Sequence, residues 1–111
     1  MITWINITSE KDVDALNRRS HEVSCLIFKH STRCPLSTVA RMRIESDNNP
    51  PLDRLEYYYL DLIRYRQVSN YISTLYSVHH ESPQILLIKD GECFYDDSHL
   101  DIKPEFIVQA L

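Results

Sequence analysis

The chain has 111 residues, with one glycine, five prolines and three cysteines, and its 43% hydrophobic and 25% charged residues suit a single folded domain of about 100–150 residues. One glycine cannot build a glycine-rich phosphate loop, and 12 Lys+Arg against 16 Asp+Glu leave no basic footprint for nucleic acid. The longest apolar runs, Cys25–Phe28 and Ile85–Ile88, hold four residues each, far short of the roughly 20 that span a bilayer.

Trp4–Ile7 reads as a first short strand. Ser9 followed by Asp12 has the spacing of a helix N-cap and capping box, and Val13 and Leu16 then share one face of a helix reaching about Arg19. Val23–Phe28 is dense, apolar and β-branched, the pattern of a central strand buried on both faces. A polar loop, His30–Arg33, leads to Cys34-Pro35, where proline suits the first position of a helix that must end before Asn48-Asn49-Pro50-Pro51. Leu55–Leu62 is an aromatic-rich strand, and Gln67–Tyr76 a helix with Val68, Tyr71, Ile72 and Leu75 on its apolar face. After a loop, His79–Pro83, the chain forms a strand at Gln84–Lys89, a two-residue turn at Asp90-Gly91 and a returning strand at Glu92–Tyr95. A last helix starts at Lys103-Pro104 and reaches Leu111. The order β-α-β-α-β-α-β-β-α describes one α/β domain over residues 1–111.

Three cysteines make an odd count without a C-x-x-C pair, which points to reduced thiols. The opening Met1-Ile-Thr-Trp-Ile-Asn lacks the charged and apolar regions of a secretory signal, so a cytoplasmic location is expected. Cys34 is the strongest candidate for chemistry. At a helix N-terminus a thiolate faces unpaired backbone N–H groups and the positive end of the dipole, and Arg33 adds a neighbouring positive charge. The bland alternative is a buried cysteine acting as a small hydrophobe, which the polar flanks oppose. Three residues on stands Ser37, where a second thiol would resolve a mixed disulfide. Its hydroxyl either donates to the Cys34 thiolate or satisfies backbone groups of the first turn. His30 either assists proton transfer near Cys34 or caps the strand end. Cys25 reads as a core residue and Cys93 as structural. The histidines and cysteines show no metal-ligand spacing, so no metal site is assigned. Ser82-Pro83 is either a trans strand starter or a cis bond facing the Cys34 loop.

Three segments narrow the reading: Phe28-Lys-His-Ser-Thr-Arg-Cys-Pro-Leu-Ser37, His80-Glu-Ser-Pro-Gln84 with Leu86-Leu-Ile-Lys-Asp-Gly91, and Ser98-His99 with Ile102. They resemble the monothiol bacilliredoxins, small cytosolic bacterial proteins of thioredoxin fold, some labelled general stress proteins, that act with the small thiol bacillithiol. The resemblance implies a three-layer α/β/α sandwich with a mixed central sheet and a C-terminal hairpin plus helix. It implies Cys34 as the attacking thiol, with Arg33, Pro35, Ser37 and His30 around it. It also implies Pro83 as a cis-proline, with Thr32, Ser82, Ser98 and His99 on the substrate side. Co-substrate and partners would be bacillithiol or a similar small thiol and S-thiolated cytosolic proteins, with no permanently bound cofactor, no nucleic acid and no membrane. A one-cysteine thioredoxin fold also admits a different class, a non-catalytic carrier or redox-sensing module, in one version holding an iron–sulfur cluster between two subunits. The chain departs from the family in having Phe94-Tyr95-Asp96-Asp97 where members often carry a tryptophan before the Ser-His pair, and in its stiff Asn48–Pro51 connection.

Overall fold

The computed structural model describes residues 1–111. Strands β1 (Trp4–Asn6), β2 (Ser24–His30), β3 (Leu55–Asp61), β4 (Gln84–Lys89) and β5 (Glu92–Ser98) form one sheet in the order β1-β3-β2-β4-β5. The first three run parallel; β4 is antiparallel to β2, and β5 to β4. Helices α1 (Glu10–Arg19) and α3 (Arg66–Tyr76) cover one face, and α2 (Pro35–Glu45) and α4 (Pro104–Ala110) the other. The layers and the mixed sheet are those expected. None of the helices is long and apolar enough to cross a membrane.

The sheet divides two cores. Cys25 and Ile27 of β2 pack with Val13, Leu16 and Ile72 on the α1/α3 side, while Leu26 and Phe28 pack with Ala40, Ile44 and Ile107 on the α2/α4 side. Alternation along a central strand sends successive side chains to opposite layers, which is why this run is apolar at every position. At the N-terminus of α1, Ser9 Oγ accepts the Asp12 N–H at 3.1 Å, while the Asp12 carboxylate reaches back to the N–H of Thr8 at 2.9 Å. The hairpin turn places Asp90 at φ +52° and Gly91 at φ +76°, and its N–H groups bond Ser20 at the end of α1. Two consecutive left-handed residues are what a two-residue hairpin loop requires, and the only glycine in the chain is spent there.

Four expectations need correction. β2 continues through Lys29 and His30, so His30 is a strand residue rather than the first residue of the loop. β5 runs on to Ser98 instead of ending at Tyr95, because alternation persists through Asp96-Asp97 and the Asp97 carboxylate accepts the Tyr95 hydroxyl. A 3-10 turn at His99–Asp101 follows where no element was expected. On α3 the buried row is Val68, Ile72 and Tyr76, at i, i+4 spacing, and Leu75 faces out. Tyr76 wins that place because its hydroxyl bonds Asn17 of α1 at 2.8 Å.

Candidate active site

Cys34 is the N-cap of α2, with Pro35 at the first helical position. The chain reaches it through a tight turn in which the Cys34 N–H donates to the Ser31 carbonyl at 3.2 Å. Its own carbonyl accepts the N–H groups of Ser37 (3.0 Å) and Thr38 (3.3 Å). The Cys34 side chain is half-buried and free, while Thr32, Arg33 and Pro35 around it are exposed. Proline fixes the backbone of the first helical residue, so the thiol is held at the helix end by the main chain alone.

Ser37 is fully buried, and the structure assigns its hydroxyl. The Oγ accepts the Ser31 N–H at 3.0 Å and lies 2.7 Å from His30 Nδ1. With the Ser31 N–H and the His30 ring as its partners, the Ser37 hydroxyl makes no hydrogen bond to the Cys34 sulfur. The thiolate-donor alternative for Ser37 therefore gives way to the backbone one. His30 is 4% exposed, with its ring 5.4 Å from Phe28 and 5.5 Å from Tyr59, centroid to centroid. Burial first, and the nearby Arg41 second, hold its pKa below the ordinary histidine value. The ring is therefore held neutral while its Nδ1 shares a hydrogen bond with the Ser37 hydroxyl. Of the two expectations for His30, the strand-end role is the one its partners fill.

The second half of the site comes from β4. The Ser82–Pro83 bond is cis, and Pro83 is buried. Lys29 of β2 pairs with Gln84 of β4, so the antiparallel register carries Pro83 and Ser82 past the His30 end of β2, where the Cys34 loop begins. The Pro83 carbonyl accepts the His99 N–H at 3.1 Å, which brings the Ser98-His99 turn to the same end. Neither the N–H nor the C=O of Ser82 is hydrogen-bonded within the protein. Ser98 caps the 3-10 turn through its backbone only, and the exposed His99 ring lies 3.4 Å from Glu81, which also has His79 at 3.9 Å. Thus Cys34, Pro35, Ser37, His30, Ser82, Pro83 and the 98–99 turn meet at one end of the sheet. Cys25 and Cys93 do not. Both lie in the row of Ile88, five residues down the strand from His30, about 16 Å away at strand rise. Burial pushes the Cys25 thiol up to about 11 and also raises Cys93, the direction of inert thiols.

Sequence reasoning missed two buried polar residues beside this end, Lys29 and Gln84. The signal was present: Lys29 follows Cys25 and Ile27 at period two, on the face already read as core.

The model of the family described as monothiol bacilliredoxin BrxC matches residues 5–107. The chain belongs to the monothiol bacilliredoxin family. Among solved structures it resembles a protein described as a candidate oxidoreductase with a thioredoxin fold, at 28% identity and TM-score 0.82, over 96% of this chain and 91% of that one. It also resembles thioredoxins of Malassezia sympodialis (15% identity, TM-score 0.74, 99% and 89% covered) and Trypanosoma brucei brucei (9%, 0.75, 97% and 87%). The last two speak for the fold alone. The fold is the thioredoxin fold, and family and architecture together make the protein a redox enzyme of thioredoxin type.

Proposed function

We propose that the protein is a monothiol oxidoreductase that removes bacillithiol, or a similar small thiol, from S-thiolated proteins through Cys34. The observation that carries this reading is the solitary thiol: Cys34 is half-exposed at a helix N-terminus, the position of a resolving cysteine holds a serine committed to His30 and Ser31, and the other two thiols sit far down the sheet. A disulfide needs Cα atoms within about 7 Å, so neither Cys25 nor Cys93 can resolve an adduct on Cys34. The Cys34 thiolate attacks the small-thiol sulfur of the mixed disulfide. A new S–S bond forms between Cys34 and the cap, the old one breaks, and the substrate cysteine leaves as a thiolate that takes up a proton. A second small-thiol molecule, as thiolate, attacks the cap sulfur, releasing the symmetric small-thiol disulfide and restoring Cys34. The unpaired N–H and C=O of Ser82 offer extended substrate backbone a strand-like partner without side-chain selectivity, which suits varied protein substrates. No resident cofactor takes part, and the reducing cytoplasm is the compartment the scheme requires.

Whole-protein mass spectrometry after exposure to a protein carrying a bacillithiol mixed disulfide tests the proposal. A single small-thiol adduct on Cys34 is expected, with the substrate released reduced, and Cys34→Ser should abolish both. An oxidised wild type holding an internal disulfide refutes the monothiol scheme. A coloured, iron-containing dimer refutes it in favour of a cluster carrier.

A further inference from the structure

The Lys29 side chain, fully buried in the central strand, has no part in the chemistry just described. It points to the face opposite Cys34 and α2. Its ammonium donates to the Ser69 carbonyl at 3.1 Å and the Ser73 hydroxyl at 3.1 Å, both on α3, and lies 3.4 Å from His80 Nδ1. An ammonium has three N–H groups, and here there are three acceptors. No carboxylate is paired with it. A buried charge without a counter-ion is rare, and here its third bond runs to the loop that precedes Pro83. The Lys29 ammonium can only donate, so His80 Nδ1 is the acceptor in that contact and the ring proton sits on Nε2; the Ser69 hydroxyl lies 3.2 Å from the same nitrogen.

We propose that Lys29 is a positioning residue: by holding His80 from beneath the sheet, it fixes the His79–Pro83 segment that presents the Ser82 backbone to the substrate. This rests on the reading that Cys34 reduces mixed disulfides bound against Ser82. The segment has four further ties, none of them a side-chain bond to β2: the Ser69 hydroxyl of α3 lies 3.2 Å from the same His80 Nδ1, the Glu81 carboxylate lies 3.4 Å from His99 Nε2, and Gln84 and the His99 N–H supply the other two. The Gln84 side chain bonds the His79 carbonyl at 2.9 Å and the Glu81 N–H at 3.4 Å, which shapes the loop but links it only to its own strand. The His99 N–H holds Pro83 from the β5 side. Apart from the β2–β4 backbone ladder, which ends at Gln84, only the Lys29 side chain connects the loop to β2, whose end leads directly to Cys34.

The charged groups around this contact are Arg66 of α3, with His79 and Glu81 acting on His80. Burial, then Arg66, lowers Lys29 to about 8, and burial, then Lys29, lowers His80, which stays a neutral acceptor at pH 7. Losing a proton from Lys29 leaves two donors for three acceptors.

The test combines kinetics with amide hydrogen exchange. Lys29→Met and His80→Leu should each raise KM for a mixed-disulfide substrate about tenfold, the scale of one charge-assisted hydrogen bond, with kcat within about twofold. The double variant should be no worse than either single, because one residue acts through the other. Ser73→Ala, which removes one of the two α3 acceptors of Lys29 and leaves its contact with the loop, should leave KM within about twofold. Wild-type KM should rise above about pH 8, and the Lys29→Met KM should not. Exchange of the 79–84 amides should quicken in Lys29→Met and His80→Leu without loss of global stability. Additive single effects, or an unchanged KM, overturn the proposal. Unchanged exchange at 79–84 also overturns it, while quickened exchange in a protein whose wild type shows no turnover upholds the anchor and refutes the thiol reading instead. His80→Leu lies at the loop end of the contact and keeps the question open to measurement even where Lys29→Met does not fold.

Discussion

Replacing Lys29 with methionine should alter stability in a way that depends on pH, and the size follows from its environment. The side chain is fully buried, and burial followed by Arg66 lowers its pKa from the ordinary 10.5 to about 8. At 1.36 kcal/mol per pKa unit, a fall of about 2.5 corresponds to about 3 kcal/mol. Below pH 8 the folded and unfolded chains both hold the proton, and the native state carries the whole desolvation penalty. Between pH 8 and 10.5 the folded chain has released the proton that the unfolded chain keeps, so stability rises with pH; above 10.5 the penalty is gone. Methionine has no such titration, and the remaining groups titrate alike in both proteins. The stability of wild type minus that of Lys29→Met should therefore climb by about 3 kcal/mol between roughly pH 7 and pH 11. Urea unfolding across that range reads it directly. A difference that stays flat with pH refutes an uncompensated ammonium in the core.

Other expectations follow from the same geometry. His30 has a lowered pKa caused first by burial, so the native state resists protonation there; stability should fall as pH drops below about 6.5, and His30→Asn should flatten that fall in acid-unfolding curves. Ser37→Cys places a thiol one turn from Cys34, at N3 of the same helix, and should turn lasting Cys34 adducts into short-lived ones by mass spectrometry; adducts as persistent as in wild type contradict it. Gly91→Ala meets only Asn17 and His21 at 3.6–3.7 Å, so strain at φ +76° rather than collision sets its cost, about 1 kcal/mol in thermal or urea unfolding.

The architecture was legible in the sequence because its signals are local. Period-two and period-3.6 patterns, the Asp90-Gly91 turn and Pro35 after Cys34 each name an element without knowledge of its neighbours. The position of Cys34 at the helix N-terminus was equally local. Roles that depend on a partner far along the chain were not legible. Whether the Ser37 hydroxyl serves the thiol or the backbone depends on His30 sitting in the strand, and residue type alone left both open. Leu75 and Tyr76 are both apolar enough to be buried, and only Asn17, 59 residues away, decides between them. Lys29 reads as the polar end of an apolar run, because nothing near it in sequence announces Ser69, Ser73 or His80.

Lys29 and His30 are consecutive, and strand alternation sends their side chains to opposite faces of the sheet. Each ties down one half of the site. His30, on the α2 face, takes the Ser37 hydroxyl, and Ser37 in turn holds the Ser31 N–H that opens the turn to Cys34. Lys29, on the α3 face, bonds α3 and His80 and so reaches the loop that ends at Pro83. The nucleophile and the substrate-facing backbone thus come from segments almost 50 residues apart, yet both are referenced to the same two residues at the end of β2. Both clamps use buried polar groups that are fully paired, and such groups are costly when one partner is lost. A shift at the end of β2 moves both halves together and preserves their spacing, whereas loss of either clamp moves one half against the other. Attack on a disulfide needs the three sulfurs aligned, so relative placement of the two loops, more than the position of either alone, is what this pair of residues protects.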